Sequence, residues 1–160
     1  MLRTAALAAL ALAAASPLPA ADDLPVRFNR VAIRPTTTSI YVATVTMTIP
    51  PFVRQDAVFS STYSARVFPY FFWSESGRIW IEVPQEKLRR VARGEAVDFT
   101  GHGVNSSGDE RRIEGHATPT GPSGGRIRVR VYVSRRLYLN FDTTYELQGA
   151  AGPGTPVIPR

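Results

Sequence analysis

Arg126-Ile127-Arg128-Val129-Arg130-Val131-Tyr132-Val133, then Ser134-Arg135-Arg136, then Leu137-Tyr138-Leu139-Asn140-Phe141-Asp142-Thr143-Thr144-Tyr145-Glu146-Leu147, is the stretch on which the fold turns. Apolar and polar residues alternate on both sides of a three-residue break. Period-two alternation marks strands with one face buried and one face wet. Pairing Val133 with Leu137 makes a hairpin that faces Leu137, Leu139, Phe141, Tyr145 and Leu147 inward. It also sets Arg128 opposite Asp142 and Arg130 opposite Asn140. Cross-strand pairs of that kind give the arginine ladder an internal answer, and charged residues also guard a sheet against edge-to-edge association.

The same alternation recurs upstream. Ile40 to Ile49 sets Tyr41, Ala43, Val45, Met47 and Ile49 on one face and Val42, Thr44, Thr46 and Thr48 on the other. Arg78 to Val83 alternates as well. Weaker strand signals run over 26–33, 57–67 merging into 68–73, 96–104 and 112–118. Turn chemistry lies between them at Ser74–Gly77, Asn105–Gly108 and Gly121–Gly125. A single segment, Gln85–Arg93, reads as helix. It follows Pro84, carries Glu86 at its start and Arg89, Arg90 and Arg93 at its end, and stops at Gly94, as the helix dipole and a glycine cap require. Leu88, Val91 and Ala92 form its apolar stripe. The expected fold is all-β: an antiparallel meander of seven or eight strands forming a sandwich or small barrel, with one short helix near 85–93. The apolar residues on both faces of 68–73 favour the sandwich, whose inner sheet would be crowded in that way.

The ends of the chain differ from this middle. Met1-Leu2-Arg3-Thr4 is a short basic start, Ala5 to Ala15 is all Ala and Leu, and Ser16 to Ala21 offers small residues to a peptidase. That is the layout of a signal peptide, 1–21, cleaved after Ala20 or Ala21. The apolar run falls short of the roughly 20 residues that span a bilayer. The expectation is a secreted or periplasmic protein without a transmembrane segment: one β domain over 22–148 and a disordered Gly/Pro-rich tail over 149–160.

Composition narrows the rest. The 160 residues contain no cysteine, so disulfides and thiolate metal sites are excluded. The net charge is +6, and Lys87 is the only lysine, so nearly all the positive charge is arginine. Export argues against a nucleic-acid partner. No nucleophile elbow, phosphate-cradling loop or spaced pair of carboxylates is present. The expected protein is therefore not an enzyme and carries no cofactor or metal.

Two constellations remain. A four-residue loop at Ser74–Gly77 would pair Trp73 with Arg78. Phe68, Tyr70 and Phe72 would then face the core with Ile79, Ile81 and Val83, leaving Phe71, Trp73, Arg78 and Trp80 on the opposite face. Aromatic rings beside an arginine can stack on sugars or anchor a protein contact. These four residues are the candidate ligand-binding site, with envelope polysaccharide or another envelope protein as partner. The leading expectation is a non-enzymatic binding or assembly module of the bacterial cell envelope. An alternative is a small-ligand carrier whose barrel cavity is lined by Tyr41, Met47, Tyr70 and Phe72. The second constellation is the only two histidines, His102 and His116. A turn centred near Asp109 would set them directly opposite each other, on one face with Asp98 and Glu114. That pair is the basis of a further alternative, a metal-dependent hydrolase. The glycines beside them, Gly101, Gly103 and Gly115, mark a bulge or a close backbone contact.

Overall fold

The computed structural model describes residues 28–149. They form ten strands and one helix in the order β1 (Phe28–Ile33), β2 (Thr36–Ile40), β3 (Ala43–Thr48), β4 (Phe52–Gln55), β5 (Val58–Phe68), β6 (Glu75–Glu82), α1 (Gln85–Ala92), β7 (Val97–Asn105), β8 (Glu110–Gly121), β9 (Gly124–Tyr132) and β10 (Tyr138–Gly149). All pairings are antiparallel. β5 to β10 follow one another as a meander, β10 returns to β1, β1 pairs with β4, and β4 pairs with β5. The sheet therefore closes on itself.

β1 and β2 act as one kinked strand, and β3 and β4 as another. Arg30 pairs with Val53 and Thr36 with Met47, so the same register holds on both sides of the kink. Prolines cause both kinks: Pro35 separates β1 from β2, and Pro50-Pro51 separates β3 from β4. Proline has no N–H for a ladder and is confined to such breaks. The result is an eight-stranded antiparallel barrel, not a sandwich. Closure through β1 and β10 needs no second sheet to cover the apolar face; at the seam beyond it β2 meets β10 without a ladder, through the Thr36 hydroxyl donating to the Asp142 carbonyl.

Inward positions carry the apolar residues. Val45, Phe59, Tyr63, Val67, Ile79, Phe99, Ile113, Val131, Leu139, Phe141, Tyr145 and Leu147 are all buried. The β9–β10 hairpin forms in the expected register, with Arg128 opposite Asp142 and Arg130 opposite Asn140. Arg128 Nε donates to Asp142 at 3.0 Å, and Arg130 Nε donates to Asn140 at 3.2 Å. The outside of the barrel is thus charged and the inside apolar, opposite to a barrel embedded in lipid. Among the described residues no helix is long and apolar enough to cross a membrane.

α1 closes one end. Leu88 and Val91 are buried beneath it, and Val91 packs with Val97, Phe99 and Leu147. Ala92, expected in the same stripe, stays exposed. Gly94 has φ +82°, and its N–H bonds the Val91 carbonyl. A residue with a Cβ would strain that left-handed stop.

β4, and β2 apart from Ile40, lie outside every segment expected as a strand, Gly121, Gly124 and Gly125 belong to strands and not to the expected turn, and two further boundaries differ. Ile40–Ile49 is not one strand: Tyr41 and Val42 form a two-residue turn, and Ile40 pairs with Ala43. Tyr41 has φ 48°. The turn contains no Gly, Asn, Asp or Pro, so nothing in the local sequence marks it. The second difference is at 68–73. β5 ends at Phe68, and Phe71–Trp73 is a single 3-10 turn in a loop. Pro69 removes the N–H that would continue the ladder. The connection between β5 and β6 is therefore made by 69–74, and Glu75–Gly77, expected as the turn, belong to β6. The expected leader, 1–21, and all of the expected tail, 149–160, except Gly149 lie outside the described residues; Gly149 is not tail but the last residue of β10.

Candidate internal cavity and its rim

The connections of a meander alternate between its two ends. Tyr41-Val42, the 69–74 loop, the 105–109 turn and Ser134–Arg136 therefore share the end opposite α1. Beneath them lies a cavity of about 780 Å³. Its wall is mostly aliphatic, with Ile33, Met47, Ile79, Val131, Leu139 and Phe141 among the lining residues. Small inward residues make the room. Ala43, Ala65 and Gly103 face the cavity where larger side chains would fill it. Of the four residues expected to line such a barrel, Tyr41, Met47 and Phe72 do so. Tyr70 packs against the core instead.

One side of the cavity is polar. Tyr63 on β5, Glu75 on β6, Asn105 on β7 and Arg111 on β8 meet there, all pointing inward. Arg111 donates to both oxygens of Glu75, at 2.8 and 3.3 Å. Tyr63 Oη donates to Glu75 at 2.9 Å, and Asn105 Nδ2 donates to it at 3.1 Å. Asp109 lies 3.6 Å from Arg111 and also accepts from Asn105. The Arg111 side chain is 11% exposed. Burial by itself raises the carboxyl pKa of Glu75, but hydrogen bonds from Arg111, Asn105 and Tyr63 outweigh it and hold the pKa below its ordinary value. Burial, followed by the hydrogen bond to Glu75, pushes the Tyr63 phenol well above its ordinary range. The cluster is thus one cation between two carboxylates, with the arginine fork already occupied.

None of these four residues stood among the sequence-derived candidates. The signal was parity: Arg111 shares a face with Ile113, and Glu75 with Ile79 and Ile81. It was hidden because 74–77 carries turn residues and the β8 pattern becomes apolar only at Ile113.

The cavity narrows toward α1 into a second space of about 110 Å³, lined among others by Phe52, Val97, Phe99, Ala117, Tyr145 and Leu147. The Tyr145 hydroxyl is buried there without a hydrogen-bond partner. A buried hydroxyl left unpaired costs more than it returns. Tyr145→Phe is therefore expected to leave the unliganded protein equally stable or raise its stability by up to about 1 kcal/mol. Urea unfolding of the two proteins side by side measures this.

The expected aromatic site does not assemble as one surface. Phe71 and Trp73 sit on the rim loop, 68% and 60% exposed. Arg78 and Trp80 lie on the outer wall of β6. Arg78 is opposite Thr62, not Trp73, because the loop spans 69–74. The Trp80 ring stacks on His102 at 5.0 Å between centroids. Phe68 and Phe72, expected in the core, are exposed on the rim. The histidines are not opposite each other either. His102 pairs with Arg112 and His116 with Asp98. The turn is centred on Ser107, two residues before the expected point. The Asn105 side chain accepts from the N–H groups of Ser107 and Asp109, and Gly108 takes φ +88°. His116 Nδ1 instead lies 2.7 Å from Asp98 on the outer wall. The facing imidazoles needed for a metal-dependent hydrolase are not formed.

No family model, curated protein or solved structure matches the chain.

Proposed function

We propose that this protein is a binding protein for a neutral, largely apolar small molecule held inside the barrel. The supporting observation is the cavity. Its volume falls within the roughly 300–1,000 Å³ usual for small-molecule sites, and its aliphatic wall with one convergent polar patch is the usual make-up of such sites. Charge selects the ligand class. Arg111 is already saturated by Glu75 and flanked by Asp109, so an incoming carboxylate or phosphate would meet net negative charge at a partly desolvated site. An uncharged hydroxyl or carbonyl can share hydrogen bonds with Tyr63 and Asn105 at no such cost. Together with the leader-like start of the chain, this supports reading the protein as an exported carrier or scavenger rather than an enzyme.

The test is titration with two fluorescent probes of similar size, neutral N-phenyl-1-naphthylamine and anionic 1-anilinonaphthalene-8-sulfonate. The expected result is saturable enhancement with the neutral probe and affinity at least about tenfold weaker for the anion. Val45→Trp, which projects into the cavity, should abolish the neutral signal while circular dichroism stays unchanged. Preference for the anion, or full binding by Val45→Trp, would remove this reading. Native mass spectrometry of the freshly purified protein then identifies any retained ligand by mass.

A further inference from the structure

Among the described residues, six of the eight exposed large apolar side chains occupy the open end of the barrel: Tyr41, Val42, Phe68, Phe71, Phe72 and Trp73. Tyr41 is 98% exposed and Phe72 77%. The rings of the 68–73 loop cluster with one another, and Tyr70, at 4.8 Å from Trp73 and 6.0 Å from Phe72, joins them to the core. Phe68 meets Phe71 at 5.7 Å, and Phe72 meets Trp73 at 5.3 Å, both edge to face. An exposed apolar cluster of this size on a barrel with a charged outer wall marks a contact surface.

We infer that this rim docks on the headgroup layer of an anionic phospholipid bilayer, with the cavity mouth facing the membrane. Three observations select that occupant. The aromatics stand on two separate projecting loops, not on a flat face, and loop tips of Trp, Tyr and Phe suit the boundary between headgroups and acyl chains. Positive charge accompanies them. Arg135 and Arg136 form the neighbouring turn of the same end, and Arg66 lies two residues before Phe68; all three are exposed. Of the acids at this end, Glu75 and Asp109 are engaged with Arg111, leaving Glu110 as the exception. Basic side chains beside inserted apolar ones are the combination that holds a protein to anionic lipid. A second copy fits less well, because a two-fold contact through this end would bring Arg135 and Arg136 toward their own equivalents. The other end is taken by α1 and by the Phe28–Gly149 pairing, so the described part of the chain leaves the rim clear. The inference does not depend on what the cavity holds.

The experiment uses vesicles of phosphatidylglycerol and phosphatidylethanolamine, with phosphatidylcholine vesicles as control. The Trp80→Phe variant leaves Trp73 as the only tryptophan. The expected result is co-sedimentation with the anionic vesicles, a blue shift of Trp73 emission, and quenching by lipids brominated near the headgroup. Arg135→Ser/Arg136→Ser should weaken binding about tenfold or more, and Phe71→Ser/Phe72→Ser should abolish it. The variant Phe68→Ser/Arg135→Ser/Arg136→Ser, altered away from the cavity, should still take up the neutral probe without vesicles. Loss of the rim function is thereby separated from loss of the cavity function. Absence of vesicle binding overturns the inference. So does binding that leaves Trp73 emission unchanged, or binding kept by Phe71→Ser/Phe72→Ser. Binding to a soluble polysaccharide or a protein partner in place of vesicles overturns it as well.

Discussion

Glu75→Gln is expected to destabilise the protein by about 2–3 kcal/mol, and the loss should vanish in acid. Removing one member of a buried ion pair costs about 3–5 kcal/mol because the other charge stays buried without compensation. The figure is lowered here because the Glu75 side chain keeps 26% exposure and Asp109 stands close enough to share the Arg111 charge. Glutamine retains an acceptor for Tyr63 but cannot hold the arginine fork with two anionic oxygens. The pH dependence has a definite sign. The folded carboxyl pKa lies below the ordinary 4.5. The unfolded state therefore binds the proton first, and the contribution of Glu75 is complete above about pH 5. It is lost as pH falls through the lowered folded value. Urea midpoints measured from pH 7 to pH 3 should fall steeply for wild type below pH 4.5 and more gently for Glu75→Gln. Parallel curves would show that Glu75 does not carry the pair. The double variant Glu75→Leu/Arg111→Met removes both charges together and should recover much of the loss.

The second large effect is expected from a methyl group. Alanine in a strand normally improves on glycine by roughly 0.5–1 kcal/mol through backbone entropy. At Gly115 the sign should reverse. Gly115 is directly opposite Phe99, and a Cβ at that position would enter the Phe99 ring. Phe99 is buried among Val91, Val97, Ala117, Ile127, Tyr145 and Leu147 beneath α1, so its ring can yield only by leaving its packed position for the small space it lines. Forcing an extra carbon into a packed core costs typically 1–3 kcal/mol. Gly115→Ala should therefore lose about 2 kcal/mol, and Gly115→Val should fail to accumulate as folded protein. A double-mutant cycle isolates the cause. Phe99→Leu alone destabilises by leaving a hole, yet Phe99→Leu/Gly115→Ala should be more stable than the sum of the single losses, by at least about 1 kcal/mol. Additive losses would mean that the ring is not the obstacle.

Much of the architecture was legible before any coordinates. Alternation placed the buried residues of β6, β9 and β10 on the correct face, and the three-residue break at Ser134 fixed the pairing of Arg128 with Asp142. Pro84, Gly94 and the charge order bounded α1. Of the glycines that mark a bulge or a close contact, Gly101 and Gly115 are places where a Cβ would collide with a neighbour across the strand; Gly103 has more room, and no bulge forms at any of the three. These features depend on period, caps and missing side chains, which act over a few residues and are therefore written locally.

Other features depended on groups distant in the chain. Sandwich and barrel share the same alternation, and the pairing of β1 with β10 distinguishes them. Those partners stand at opposite ends of the described chain, and their meeting depends on twist and on where Pro35 and Pro50-Pro51 bend the wall. The aromatic run at 68–73 looked like a crowded core strand because apolar residues are ordinarily buried; Pro69 and the geometry of the barrel's end turned it outward. The polar cluster was hidden most thoroughly. Tyr63, Glu75, Asn105 and Arg111 come from four strands, and each is commonplace alone. Only closure of the barrel brings an arginine and a glutamate into shared burial, and it likewise leaves, between walls of small residues, a space that no single segment encodes.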